Sequence, residues 1–181
     1  MTTPLLSSVD YSTSGLDIGQ AMLRAHKASG IRKLEHPARI VWVKIEVQTY
    51  DWIAVDAAAR VRLELLSWRG TMRQGVDMQV DGGFVLADGS RVQLLRTWRD
   101  DRYEDSVSYD FTSRDGVLRV CNVSERILPT GKVVTDSLTG NAGMWIERIS
   151  PDERIYRCSA APCDPPDFES LTFRVLVGRH S

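Results

Sequence analysis

From Gly70 onward the chain is cut at short intervals by turn chemistry, and this spacing limits the fold more than any other feature of the sequence. Asp81-Gly82-Gly83, Asp88-Gly89, Asp115-Gly116, Pro129-Thr130-Gly131 and Ser150-Pro151-Asp152 separate runs at 72–80, 83–87, 91–99, 103–113, 117–128, 132–139, 143–149, 153–158 and 168–177. Glycine supplies the positive φ that a tight hairpin turn needs, and aspartate tolerates it. Strand-length runs joined by short links predict an antiparallel up-and-down meander, not alternating βαβ units. Cys158 to Asp167, with Pro162, Pro165 and Pro166, is the one long irregular connection in this half.

The first half reads differently. Residues 1–13 are small and polar and predict a flexible N-terminal arm. Ser14-Gly15-Leu16-Asp17 has the form of a capping box, Ile18, Met22 and Ala25 follow at helical spacing, and Gly30 supplies a stop, so a helix is expected over 16–29. From Arg39, Val41, Val43, Ile45 and Val47 alternate with Trp42, Lys44, Glu46 and Gln48 as in a half-buried strand. Asp51 to Trp68 stays open. Val55, Ala58, Ala59, Arg62, Leu63 and Leu66 fit a helix, whereas Val61, Leu63 and Leu65 alternating with Arg60, Arg62 and Glu64 fit a strand.

A twisted sheet of this many strands curls or closes, because closure removes exposed edges. The expected architecture is therefore a mainly β protein with an N-terminal helix and a closed or half-closed antiparallel β-barrel, residues 14–181 forming one domain. A two-sheet β-sandwich is the alternative.

Composition narrows the functions. With 181 residues, 43% of them hydrophobic, the chain can bury a core without metals or disulfides as staples. Lys+Arg at 23 against Asp+Glu at 24, interleaved, leaves no basic stripe for nucleic acid. No apolar run reaches the roughly 18 residues that cross a bilayer. The N-terminus carries no secretory pattern, so a cytoplasmic location with reduced Cys121, Cys158 and Cys163 is expected; a Cys158–Cys163 bridge stays open. His26, His36 and His180 lie at no metal-ligand spacing, and no phosphate-binding or nucleophile motif occurs, so neither metal nor cofactor is expected.

Pairing the runs through their turns yields a candidate site. A turn at Asp115-Gly116 sets Phe111 opposite Val120 and Tyr109 opposite Asn122. A loop over Arg99–Arg102 pairs Trp98 with Tyr103 and Arg96 with Asp105, and the Pro129–Lys132 turn sets Arg126 opposite Thr135. An aromatic inner face then holds two arginines around one carboxylate, which leaves a positive charge to be met by water or by an anionic ligand group. Arg96, Trp98, Tyr103, Asp105, Tyr109, Asn122 and Arg126 are thus the expected ligand-binding residues, for an acidic or aromatic small organic molecule held inside the barrel. The alternative places them at an open end where arginines reach water.

Two other functions stay in view. One is a cofactor-independent barrel enzyme, an isomerase, cyclase or lyase with Tyr109 as acid and Asp105 as base, although two guanidiniums would hold Asp105 ionised and weaken it as a base. The other is a protein-interaction module, such as an inhibitor or immunity protein, anchored by Trp42, Trp52 or Trp68. Self-association is compatible with all three.

Overall fold

The first fifty residues build a small lobe around one helix. In the computed structural model, which describes residues 3–34, 36–101 and 104–179, Leu5–Asp10 of the presumed arm forms a strand, β1. It runs parallel to β2 (Arg39–Trp42), which turns back antiparallel into β3 (Ile45–Gln48). The helix α1 spans Ile18–Ser29 and buries Ile18, Ala21 and Ala25 against Tyr11, Ile40, Trp42 and Val47.

The capping box lies one turn later than expected. Asp17, not Ser14, is the N-cap: its carboxylate accepts the Gln20 amide at 2.7 Å, and the Gln20 side chain accepts the Asp17 amide at 3.2 Å. Ser14 instead donates its hydroxyl to the Tyr11 carbonyl at 2.6 Å. The Ile18 amide is met by the Asn141 side chain at 3.1 Å, so the helix begins where free N–H groups find acceptors. Gly30, at φ 70°, ends it.

The expected single strand after Arg39 breaks at Val43 and Lys44, both at positive φ, so Ile40 and Trp42 face inward and Val43 is exposed. A β-branched residue at positive φ is costly. The Asp10 carboxylate offsets that cost by accepting the amides of Val43 at 3.0 Å and Lys44 at 2.9 Å. The hydroxyl and amide of Ser12, with those two amides, hold the Asp10 carboxyl down at about 2.

Alternation then decides the open segment. Asp51–Ala54 is β4 and Ala58–Trp68 is β5, with Ala59, Val61, Leu63 and Leu65 buried and Arg60 and Arg62 outside. A helix with the expected apolar face would have buried Arg62. The remaining strands are β6 (Gln74–Val85), β7 (Arg91–Trp98), β8 (Ser106–Thr112), β9 (Val117–Ile127), β10 (Val133–Asp136), β11 (Gly143–Arg148), β12 (Glu153–Ser159) and β13 (Leu171–Arg179).

These strands form one large mixed sheet that does not close, in the order β1-β2-β3-β11-β12-β13-β5-β8-β6-β9-β10, with β4 added to β9 and β7 to β6. The mainly β class holds, but the sheet is not a sequential meander. Its curl is filled by Met78, Phe84, Phe111, Met144, Tyr156 and Phe173, all fully buried.

Asp81-Gly82-Gly83 explains the departure from the meander. The chain does not reverse there: β6 continues, and residues 80–83 bulge out against Gln93 alone, between the pairs Gln79–Leu94 and Phe84–Val92. Before the bulge β6 pairs with β9, and after it with β8. It therefore occupies the place in which β8 and β9 were expected to pair, and neither Phe111–Val120 nor Tyr109–Asn122 forms. A Cβ on Gly82 would lie 2.2 Å from the Thr112 carbonyl oxygen, so glycine is required for close backbone approach, not for a hairpin.

Two outcomes are expected. Gly82→Ala lowers stability in urea unfolding by about 3 kcal/mol, whereas Gly178→Ala, with open space around its Cβ, stays within about 0.5 kcal/mol of wild type; equal stabilities would remove the bulge. The contribution of Asp10 is complete above the ordinary carboxylate value of 3.8 and is lost as pH falls through about 2. The Val43 and Lys44 amide NMR shifts should titrate with that midpoint, and Asp10→Asn should abolish the titration.

Candidate functional site

The outer face of β7, β6, β9 and β4 collects side chains that the core excludes. Val76 and Met78 point into the core, so Asp77 and Gln79 point out. The register sets Arg96, Asp77 and Cys121 side by side in one row, and Leu94, Gln79, Arg119 and Trp52 in the next. Arg96 grips Asp77 with both arms of its fork, at 2.8 and 2.7 Å. Arg119 pairs with Asp115 and lies over the Trp52 ring at 5.2 Å. The His36 ring meets Trp52 edge-on at 5.3 Å, with Tyr50 at 6.4 Å.

Beside these contacts lies a trough of about 410 Å³. Asp77, Gln79, Arg119 and Cys121 form its floor, Tyr50 and Trp52 one wall, and Leu94 the other, while Ser137 and Leu138 close an end. Its one arginine, Arg119, is matched by Asp115, and its one carboxylate, Asp77, by Arg96. Burial, reinforced by the nearby Asp77 carboxylate, pushes the Cys121 thiol up to about 12.

A second cleft, of about 440 Å³, opens between β7 and β8. The expected Arg99–Arg102 hairpin would have zipped these strands together, but β7 pairs with β6 and β8 with β5. Arg96, Trp98 and Tyr109 line this cleft together, with Asp101, Glu104 and Ser106. Trp98 is buried beneath Arg73, at 4.5 Å from its ring.

The other expected site residues lie elsewhere. Arg96 has Asp77, not Asp105, as its partner; Asp105 is exposed, and its carbonyl accepts the Leu65 amide at 2.7 Å. Asn122 is buried on the core side, donating to the Ser159 carbonyl at 2.8 Å. Arg126 sits opposite Val134, one residue away from the expected Thr135, and pairs with Asp136 at 2.5 Å. A slip of one residue turns a side chain to the other face. Tyr103, and with it the Trp98–Tyr103 pairing, lies outside the described residues. The cluster of two arginines around one carboxylate therefore does not form.

The trough residues absent from the expected ligand site are Tyr50, Asp77, Gln79, Arg119, Cys121, Leu138 and Trp52, the last named only as an anchor for a protein partner. The alternation Val76-Asp77-Met78-Gln79-Val80 carried the signal for two of them. Extending the Asp88-Gly89 hairpin without a bulge would set Arg96 opposite Val80, and the bulge moves it to Asp77.

Among the described residues, no group of His, Cys, Asp or Glu side chains could hold a metal ion, and no helix is long and apolar enough to cross a membrane. All three cysteines are free. Comparison with family models, curated proteins and solved structures finds no match to this chain, so geometry alone carries the functional reading.

Cys121 offers a direct check of the trough. In native protein at about pH 8 it should stay unalkylated by iodoacetamide and react only after unfolding. Native labelling would reveal a thiolate that this burial does not allow.

Proposed function

We propose that the protein binds a small, uncharged organic molecule carrying a flat ring, in the outer trough and not within the curl of the sheet. The observation that carries this reading is the pairing of charge in the trough: its carboxylate, Asp77, is met by Arg96, and its guanidinium, Arg119, by Asp115. An acidic ligand, suggested by the sequence, would have to displace one of these carboxylates. A neutral molecule displaces none.

The dimensions and chemistry agree with this. Ligand pockets usually measure about 300–1,000 Å³ and combine apolar walls with a few polar groups. Tyr50 and Trp52 offer ring surface for stacking. The Gln79 amide offers one donor and one acceptor side to a polar substituent. Catalysis gains no comparable support, because a thiol held at about 12 is poorly matched to proton transfer or attack near neutral pH.

Native mass spectrometry of freshly purified protein, repeated after denaturation, tests the proposal. The expected result is a small mass retained in the native state and released on unfolding. Trp52→Ala should lower its occupancy by about tenfold or more, and Tyr109→Phe, in the other cleft, should leave it unchanged. A mass insensitive to Trp52→Ala but lost in Tyr109→Phe would move the site to the cleft between β7 and β8.

A further inference from the structure

Leu138 stands at one end of the trough and also lines a second cavity, of about 380 Å³, between the start of α1 and the β10–β11 connection. Gly19, Met22 and Leu23 form the helix side of that cavity, and Thr49, Thr139 and Gly140 the other. Leu138 is 45% exposed and Leu23 72% exposed, large apolar surfaces that the folded chain leaves uncovered. Leu138 also holds a positive φ of 62°, a conformation costly for a side chain with a Cβ.

The neighbouring backbone is fixed. The Gly19 amide donates to the Gly140 carbonyl at 2.9 Å, the Asn141 amide to Ala161 at 2.9 Å, and the Asn141 side chain to the Cys163 carbonyl at 2.6 Å. These pins begin just after Leu138 and hold the floor of the second cavity open beside the trough. The carboxylate at its rim, Asp17, is committed to the Gln20 amide.

We infer that the two cavities form one groove for an elongated ligand, with its ring on Tyr50 and Trp52 and an unbranched alkyl tail passing Leu138 to lie along Met22 and Leu23. The inference rests on the proposed ring site. An alkyl tail fits because the second cavity presents uncovered leucine and methionine surface, and its one carboxylate already has a partner.

A series of 4-alkylphenols, from 4-methylphenol to 4-octylphenol, titrated by tryptophan fluorescence separates the two parts. In wild type the affinity should rise roughly fourfold per added methylene until the second cavity is filled. Leu23→Asp, a substitution at the surface, should remove that rise and leave 4-methylphenol binding unchanged, and Leu138→Trp should also block it. A rise that persists in both variants overturns the shared groove, because the tail then lies elsewhere. If 4-methylphenol does not bind, or binds equally well to Trp52→Ala, the ring site itself fails, a separate result.

Discussion

A single buried carboxylate holds the outer trough to the rest of the molecule. Asp51 has no solvent exposure, and β3 and β12 supply its hydrogen-bond partners. The Gln48 amide donates at 3.0 Å, the Tyr156 hydroxyl at 2.9 Å, and Arg154 completes an ion pair. Arg154 also donates to the Trp52 carbonyl at 3.2 Å, so the residue forming the trough wall is fixed by the same network. Burial, reinforced by the Asp51 charge, pushes the Tyr156 hydroxyl well above its ordinary range and keeps it a donor. Among the described residues, strand β4 pairs within the sheet with β9 alone, over four residues. Removing one member of a buried ion pair typically costs about 3–5 kcal/mol, so the aromatic wall is anchored far more firmly than a short edge strand would be alone.

The bulge in β6 provides the opposite wall. By absorbing residues 80–83 it moves the register of β7 so that Arg96 meets Asp77 and Leu94 meets Gln79. Without that shift Arg96 would fall opposite Val80, a core residue, and a guanidinium would be drawn toward an apolar interior. The bulge also frees β8 from β7, which opens the second cleft. One local feature thus decides both the charge balance of the trough and the break in the sheet.

What the sequence revealed and what it hid divide along this line. Local patterns were legible: the ends of most strands after Gly70 and the glycine that ends α1 depend on neighbouring residues, whereas the alternation of β5 competed with a helical spacing in the same residues. The topology was not, because Asp81-Gly82-Gly83 reads identically whether glycine serves a reversal or a close approach to Thr112. That ambiguity inserted a turn where β6 runs on, and the continuing strand displaced the expected pairing of β8 with β9. Arg126 failed for a smaller reason, a one-residue difference in the β9–β10 hairpin. Arg96, Trp98 and Tyr109 still line one cavity, because the short connection from β7 to β8 keeps them close even though the strands do not pair. Trp52 gave no local signal of its role; it reaches the site through the pairing of β4 with a strand more than sixty residues later.

The tryptophans show why one ring among several suits a ligand. Trp52, Trp68, Trp98 and Trp145 each lie beneath an arginine, respectively Arg119, Arg99, Arg73 with Arg96, and Arg157. Guanidinium planes stack on indole in a way that lysine cannot copy, and three of these rings also place the arginine beside a carboxylate: Asp115, Glu169, and Asp77 or Asp100. Such layers cover one face of each ring, while Trp68 and Trp145 keep more than a third of their surface exposed. Trp98 is buried, and Trp145 shares its cavity with Arg39, Lys44, Glu46 and Arg148, charged company for an apolar guest. Trp52 differs because its arginine covers part of the ring while Tyr50, Leu94 and Leu138 leave an apolar space beside it. Here the stacked arginine orients an indole at the edge of a cavity whose charged groups are paired.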